Sequence, residues 1–172
     1  MSYVSEYIIS TIGKYDPEWI DYIKAVSKYA EINLSEAIMI SITYDMACTT
    51  AIVQKKSGEI LMGRNLDFGT YFTNSHMDFE AHYYKDGKYL FKAIELAGFR
   101  GVINGIKENK YSVSLNLRKK NSSITNVYRV FKGYPTPNFY LYKVMLEAEN
   151  FNEAVKLFSE NNLSAPVYFS IS

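Results

Sequence analysis

The residues most able to do chemistry lie close together, between positions 47 and 69 of the 172-residue chain. Cys48 is the only cysteine, and Arg64 and Asp67 follow it in the polar run GRNLD. The thiolate is the nucleophilic form of cysteine, and a nearby cation favours that form. A cysteine beside an arginine and an aspartate therefore indicates nucleophilic catalysis, provided that the fold brings the three side chains together.

A β-hairpin is the element that would position these residues. The segments ACTTAIVQ and EILMGRNLDF read as two strands, and a Ser-Gly turn lies between them. With a two-residue loop, Cys48 lies opposite Asp67, and directly opposite residues share a face with Cβ atoms about 5 Å apart. Strict alternation then places Arg64 on the other face, unless a bulge or bend turns it back. A loop longer by one residue would change this register.

The general base for such a nucleophile is not a neighbouring histidine. If the chain is cut between Ala47 and Cys48, the cysteine gains a free α-amine that can act as the base for its own side chain. Asp67 would hold the amine, and Arg64 would support the thiolate or the acyl carbonyl. The alternative is that the single cysteine is a small buried apolar residue, and that RNLDFG is only a strand end and turn.

The rest of the chain predicts an α+β fold with helices packed on an antiparallel sheet. Asp16 and Pro17 form a helix start, and Ser35 begins a second helix, so residues 1–47 are mainly helical. Asp86 and the glycine after it predict a hairpin turn. The other predicted elements are strands at about 77–84, 88–96 and 111–117, helices at 138–149 and 152–161, and a last strand in APVYFSIS.

Composition argues against several classes of function. The formal net charge of +1 gives no electrostatic reason to expect a nucleic-acid partner. One cysteine excludes an internal disulfide and a multi-cysteine metal site, and His76 and His82 lack the spacing of a metal pair, so no cofactor is expected. No apolar run approaches the roughly 20 residues that span a bilayer, and the N-terminus lacks the basic and apolar regions of a signal peptide.

The run CTTAIVQKKSGEILMGRNLDFG closely resembles the start of the β-subunit in the acid ceramidase and N-acylethanolamine-hydrolysing acid amidase family. These proteins are cysteine N-terminal nucleophile hydrolases. The shared pattern is Cys-Thr, a strand, a turn and then Gly-Arg-Asn-Leu/Met-Asp, with the same spacings. The resemblance covers roughly residues 45–172, most clearly at 91–118 and 149–169, and the helical segment 1–44 resembles the α-subunit. The chain is more distantly similar to the choloylglycine hydrolases, whose cysteine sits just after the initiator methionine.

The resemblance implies a partial αββα sandwich, with residues 1–47 as a helical, α-subunit-like propeptide and 48–172 as the β-subunit-like domain. It implies autocatalytic cleavage between Ala47 and Cys48. Cys48 would then attack the amide of a fatty-acyl amide, either a ceramide or an N-acylethanolamine, and water would hydrolyse the acyl thioester. Arg64 would serve as a catalytic partner.

By its position in the shared motif, Asp67 corresponds to the family's other catalytic partner. Members of the family are lysosomal, so the resemblance also implies a lysosomal protein. Two departures from the family pattern accompany these expectations. Leu117 stands where the family has a glutamate, in SLNLRKK. The family also continues past Ser172 with strands that supply an oxyanion-hole asparagine and a second arginine.

Two functions are consistent with this pattern. One is a working amidase whose missing strands come from another chain. The other is a truncated, inactive relative that keeps only a lipid-binding or interaction role. In either case the open sheet edge is a candidate surface for self-association.

Overall fold

The computed structural model describes residues 3–14, 16–42, 47–67, 78–99, 101–118 and 122–172. The elements, in chain order, are α1 (Tyr3–Ile12), α2 (Pro17–Tyr29), α3 (Leu34–Ile42), β1 (Ala47–Gln54), β2 (Ile60–Asp67), β3 (Asp78–Lys85), β4 (Lys88–Leu96), β5 (Asn104–Lys107), β6 (Tyr111–Leu117), α4 (Ser123–Phe131), α5 (Pro137–Glu147), α6 (Phe151–Glu160) and β7 (Val167–Ile171). The predicted α+β class, with antiparallel strands and flanking helices, is confirmed.

The N-terminal helices begin where side chains satisfy their first backbone N–H groups. Asp16 caps α2 by accepting a hydrogen bond from the backbone N–H of Trp19, as predicted. The predicted start of α3 at Ser35 is wrong. Asn33 accepts from the backbone N–H of Glu36, and the Glu36 carboxylate accepts from that of Asn33. This reciprocal capping box starts the helix at position 34, so Ser35 lies inside it.

Three elements have weak sequence signals and were not predicted individually: α1, α4 and β5. The four residues of β5 include an asparagine and a glycine, which are both uncommon in strands. This strand exists because β4 and β6 pair with it on its two sides. Tertiary pairing therefore overrides local propensity at this position.

The described strands form two separate antiparallel sheets. Strands β3 to β7 form a five-stranded sheet in sequence order, and β1 and β2 form a two-stranded hairpin. Asp86 and Gly87, between β3 and β4, have φ values of 51° and 75°. Two consecutive positive φ values define the tight hairpin turn that the Asp-Gly pair predicts.

The five-stranded sheet has one apolar face and one polar face. Along β6, Tyr111, Val113 and Leu115 are buried in the main core with residues of α5 such as Leu141 and Met145. The alternating positions of β6 carry polar side chains, and the β1–β2 hairpin lies against this strand. Helices α5 and α6 thus cover one side of the sheet, and the hairpin covers part of the other.

The three N-terminal helices form a second core cluster centred on Ile23 and Ile38. Trp19 packs in this cluster and donates its indole N–H to Ser41 at 2.8 Å. Within the described residues, no helix combines the length and the hydrophobicity that crossing a membrane requires.

Candidate active site

Three residues, 56–58, lie inside the closing pair of the β1–β2 hairpin, whereas the sequence predicts a two-residue loop. Lys55 and Glu59 close the hairpin, with the N–H of Lys55 donating to the carbonyl of Glu59 at 2.8 Å. Gly58 donates back to the carbonyl of Lys55 and has a φ of 88°. A turn followed by a glycine in the left-handed region is a standard three-residue hairpin connection.

The additional loop residue shifts the strand register. Cys48 lies opposite Leu66, and Thr50 lies opposite Arg64. The predicted pairing of Cys48 with Asp67 is therefore wrong. Because the side-chain period of a strand is two, the same one-residue shift brings Arg64 to the face of Cys48.

Arg64 contacts the thiol directly. Its Nη2 atom donates to Cys48 Sγ at 2.8 Å, and it also donates to the backbone carbonyl of Leu115 at 3.1 Å. The guanidinium thus connects the hairpin to β6. A cation at this distance stabilises a thiolate and provides N–H donors where negative charge would develop.

The side chain of Asp67 lies outside the described residues, as does that of Ala47. Their backbones pair at the end of the hairpin, so the peptide bond between Ala47 and Cys48 lies at the first residue pair of the two strands. The catalytic role of Asp67 stays a prediction.

Apolar side chains surround the other side of the thiol. Cys48 and Leu66 pack with Leu96 against Phe99 and Ile103, which are 5% and 2% exposed. Hydrogen bonds to an ionic group are stronger in such a low-dielectric environment than in water. The interaction between the cysteine and the arginine thus occurs at the edge of a small apolar cluster.

A polar network that the sequence reasoning missed lies beside the cysteine. Thr50 Oγ1 is 2.9 Å from Ser114 Oγ, 3.0 Å from Asn116 Oδ1 and 2.8 Å from Asn116 Nδ2. Asn116 Nδ2 also lies 3.5 Å from Ser170 Oγ. The signal was present in the strand YSVSLNL, where polar residues alternate with apolar ones, but it does not show which element contacts them.

A cleft of about 380 Å³ opens next to β2 and reaches Arg64. Its apolar lining residues are Ile60, Leu61, Met62, Ala93, Ile94, Ile106 and Val113. Polar and charged residues also line it, namely Arg64, Glu80, Lys92, Asn104 and Ser112. A cleft that combines apolar and charged groups is suited to an amphipathic ligand.

His82 is not part of this site. His82 lies on β3, where its Nε2 atom is 2.6 Å from Glu80 at the surface. His76 lies outside the described residues. In the ranges that the structure describes, no group of three or more His, Cys, Asp or Glu side chains could hold a metal ion.

The buried acidic group Glu95 also lies elsewhere. Glu95 is 9% exposed and accepts a hydrogen bond from the Tyr83 hydroxyl. Burial raises the pKa of Glu95, which the hydrogen bond opposes, and burial also raises the pKa of Tyr83. Glu95 alternates along β4 with Leu96, which packs with Cys48, so the acid is on the other face of the sheet.

The chain is similar to amidases and ceramidases of known name. It is 26% identical over 163 residues to an N-acylethanolamine-hydrolyzing acid amidase from Caenorhabditis elegans, covering 87% of this chain and 46% of that protein. It is 26% identical over 192 residues to an acid ceramidase from Heterocephalus glaber, covering 98% and 48%. The human acid ceramidase is 25% identical, with the same coverage. No family model matches the chain.

A solved structure supports the same relationship. The Caenorhabditis elegans N-acylethanolamine-hydrolyzing acid amidase ortholog superposes with a TM-score of 0.62 at 26% identity, covering 74% of this chain and 54% of that one. This similarity confirms the predicted fold. The chain spans about half the length of the curated relatives that it matches.

Proposed function

Since the chain belongs to the acid ceramidase and N-acylethanolamine-hydrolysing acid amidase family, we propose that it is an autoprocessed cysteine amidase that hydrolyses fatty-acyl amides. The observation that carries this proposal is the 2.8 Å contact between Arg64 Nη2 and the only thiol of the chain, Cys48 Sγ. A structural cysteine has no need of a cation at this distance.

In this proposal, residues 1–47 form the helical propeptide and residues 48–172 form the β-subunit-like domain. Cleavage between Ala47 and Cys48 would release an α-amine on the cysteine. The amine accepts the thiol proton, as in other N-terminal nucleophiles. Asp67, whose backbone pairs with Ala47 at the end of the hairpin, would hold the resulting ammonium group.

The thiolate of Cys48 then attacks the amide carbonyl, and the negative charge moves to the carbonyl oxygen. An N–H group of Arg64 donates to the thiolate before the attack and to this oxygen after it. When the carbon–nitrogen bond breaks, the α-ammonium returns the proton to the leaving amine. Water then hydrolyses the acyl thioester, which releases the fatty acid and restores the thiol.

The substrate class follows from the relatives and from the cleft. The named relatives act on ceramides and N-acylethanolamines, both of which join an acyl group to an amine. The cleft combines apolar residues with charged ones, including Arg64, which suits such an amphipathic molecule. A lysosomal location is part of the same proposal.

The alternative is a relative without hydrolase activity that keeps only a lipid-binding or interaction role. Leu117 favours this alternative, because it stands where the family has a glutamate. A leucine can neither carry charge nor form a side-chain hydrogen bond. Leu117 is the last residue of β6, where it pairs with Val167.

Fatty-acid release separates the two functions. We expect the purified chain to release fatty acid from an N-acylethanolamine or a ceramide at acid pH, and the Cys48→Ala variant to release none. The product is measured by mass spectrometry after extraction. Lipid binding by both proteins with no release by either would support the alternative.

We also propose that the chain self-associates through the hairpin. Four large apolar residues of β1 and β2 are 45% to 58% exposed: Ile52, Val53, Ile60 and Leu61. Among the described strands, β2 pairs only with β1, so its other edge is available to a further strand.

A lysine on such an edge opposes strand pairing. We therefore expect Leu61→Lys to lower the average mass in sedimentation velocity, while Lys85→Arg, at the exposed end of β3, leaves it unchanged. A wild-type chain that is monomeric at all concentrations would disprove self-association.

A further inference from the structure

We infer that Thr50 and Asn116 act as a hydrogen-bonded pair that sets the position of the nucleophile strand. Asn116 is thereby a positioning residue for Cys48, acting through Thr50. The role of this pair in catalysis rests on the proposed amidase function. The geometry itself can be tested by chemical modification of Cys48, without measuring turnover.

The hairpin depends on side chains for its attachment to the rest of the fold. It forms its own sheet, so no backbone ladder joins it to the five-stranded sheet among the described strands. Hydrogen bonds that cross between the two sheets include Thr50 to Ser114, Thr50 to Asn116, Arg64 to the Leu115 carbonyl and Ser112 to Met62 Sδ. Most of these groups lie near the open end of the hairpin, which contains Cys48.

Packing does not hold the other end of the hairpin. Every residue from 51 to 61 is exposed, on both faces of the two strands. Position is therefore controlled near Cys48, by the polar contacts of Thr50 and Arg64 and by the small apolar cluster around Leu66. Residues two apart along a strand are separated by about 6.6 Å, so a displacement at Thr50 is transmitted to Cys48.

Asparagine has the chemistry that this position requires. Its Oδ1 can accept from the Thr50 hydroxyl and its Nδ2 can donate to it, at 3.0 and 2.8 Å. Asn116 Nδ2 can also donate to the hydroxyl of Ser170, at 3.5 Å. An aspartate would accept but not donate, and a leucine of similar size would do neither.

The consequence for Cys48 follows from the contact with Arg64. That contact joins a side chain of β1 to one of β2, and Arg64 is itself held by the Leu115 carbonyl next to Asn116 in the sequence. Loss of the hydrogen bonds of Thr50 would let the first residues of β1 move away from β6. The distance and angle between the thiol and the guanidinium would then change. Misplacement of a reacting group by about 1 Å can cost about 100-fold in rate.

The experiment measures alkylation of Cys48 by iodoacetamide in the intact, folded chain. Because Cys48 is the only cysteine, the modification rate reports on this residue alone. We expect Asn116→Leu and Thr50→Val each to lower the alkylation rate about 10-fold. This is the low end of the effect expected when the thiolate of Cys48 loses its hydrogen bond from Arg64. Thr50→Ser keeps the hydroxyl and is expected to retain a rate near that of the wild type.

A double-mutant cycle identifies positioning as the cause. We expect Arg64→Gln to lower the alkylation rate in the otherwise wild-type chain and to have little further effect in the Asn116→Leu background, because the contact is then already lost. Melting temperatures are recorded alongside, with Ser112→Ala as a control for a cross-sheet contact farther from the thiol. Additive rate effects, or lower melting temperatures with unchanged rates, would overturn the inference.

The two hypotheses fail separately. A chain that is neither cleaved nor active, but shows the coupled alkylation rates, would refute the amidase function and support the positioning pair. If Asn116→Leu does not fold, Asn116→Asp and Thr50→Val test the same hydrogen bonds.

Discussion

Held at acid pH, the wild-type chain should divide into residues 1–47 and 48–172, and the Cys48→Ala variant should stay whole. The reason is that cleavage requires the thiol to attack the carbonyl of Ala47, the residue directly before it. Arg64, in contact with the thiol, stabilises the thiolate for this step. Intact-mass spectrometry of samples held at neutral and at acid pH measures the effect, which is a change from complete to no conversion.

Cys48→Ser is the matched variant for this experiment. A hydroxyl has the shape of a thiol but ionises far less readily, so we expect cleavage that is slow but detectable. A wild-type chain that stays whole under both conditions would contradict autoprocessing. The α-amine base would then not exist, and a lipid-binding or interaction role would account better for the chain.

Replacement of Arg64 by glutamine should slow both cleavage and fatty-acid release by about 10- to 100-fold. Hydrogen bonds to charged groups contribute about 1.5–3 kcal/mol, and each 1.4 kcal/mol corresponds to a factor of ten. Arg64 makes one such bond to Cys48 and another to the Leu115 carbonyl, so the variant loses both charge and position. Rates are obtained from single-turnover mass spectrometry.

Arg118→Gln provides the control for this substitution. Arg118 is exposed, with its guanidinium 5.3 Å from the centre of the Tyr168 ring, so its loss should leave both rates unchanged. Arg64→Lys separates charge from shape, since lysine keeps the charge without the planar fork that reaches two acceptors, and we expect an intermediate rate. Equal rates for Arg64→Gln and the wild type would remove Arg64 from the mechanism.

The sequence by itself determined most of the elements, and it predicts Cys48 as the reactive group. The capping Asp16, the Asp86-Gly87 turn and the strand at 111–117 were each predicted from local chemistry, and the structure confirms them. The elements that escaped prediction, such as β5, depend on pairing with strands on both sides. These elements are stabilised by contacts between residues that are distant in sequence, and local propensity does not predict such contacts.

The composition of the site was decided by tertiary structure. From sequence, a two-residue loop pairs Cys48 with Asp67 and sends Arg64 to the far face; the three-residue loop instead pairs Cys48 with Leu66 and brings Arg64 to the thiol. A single loop residue has this effect because side chains alternate between the faces of a strand, so every partner changes with a shift of one. The contact of Thr50 with Asn116 likewise joins residues 66 positions apart, which only the packing of one sheet on another brings together.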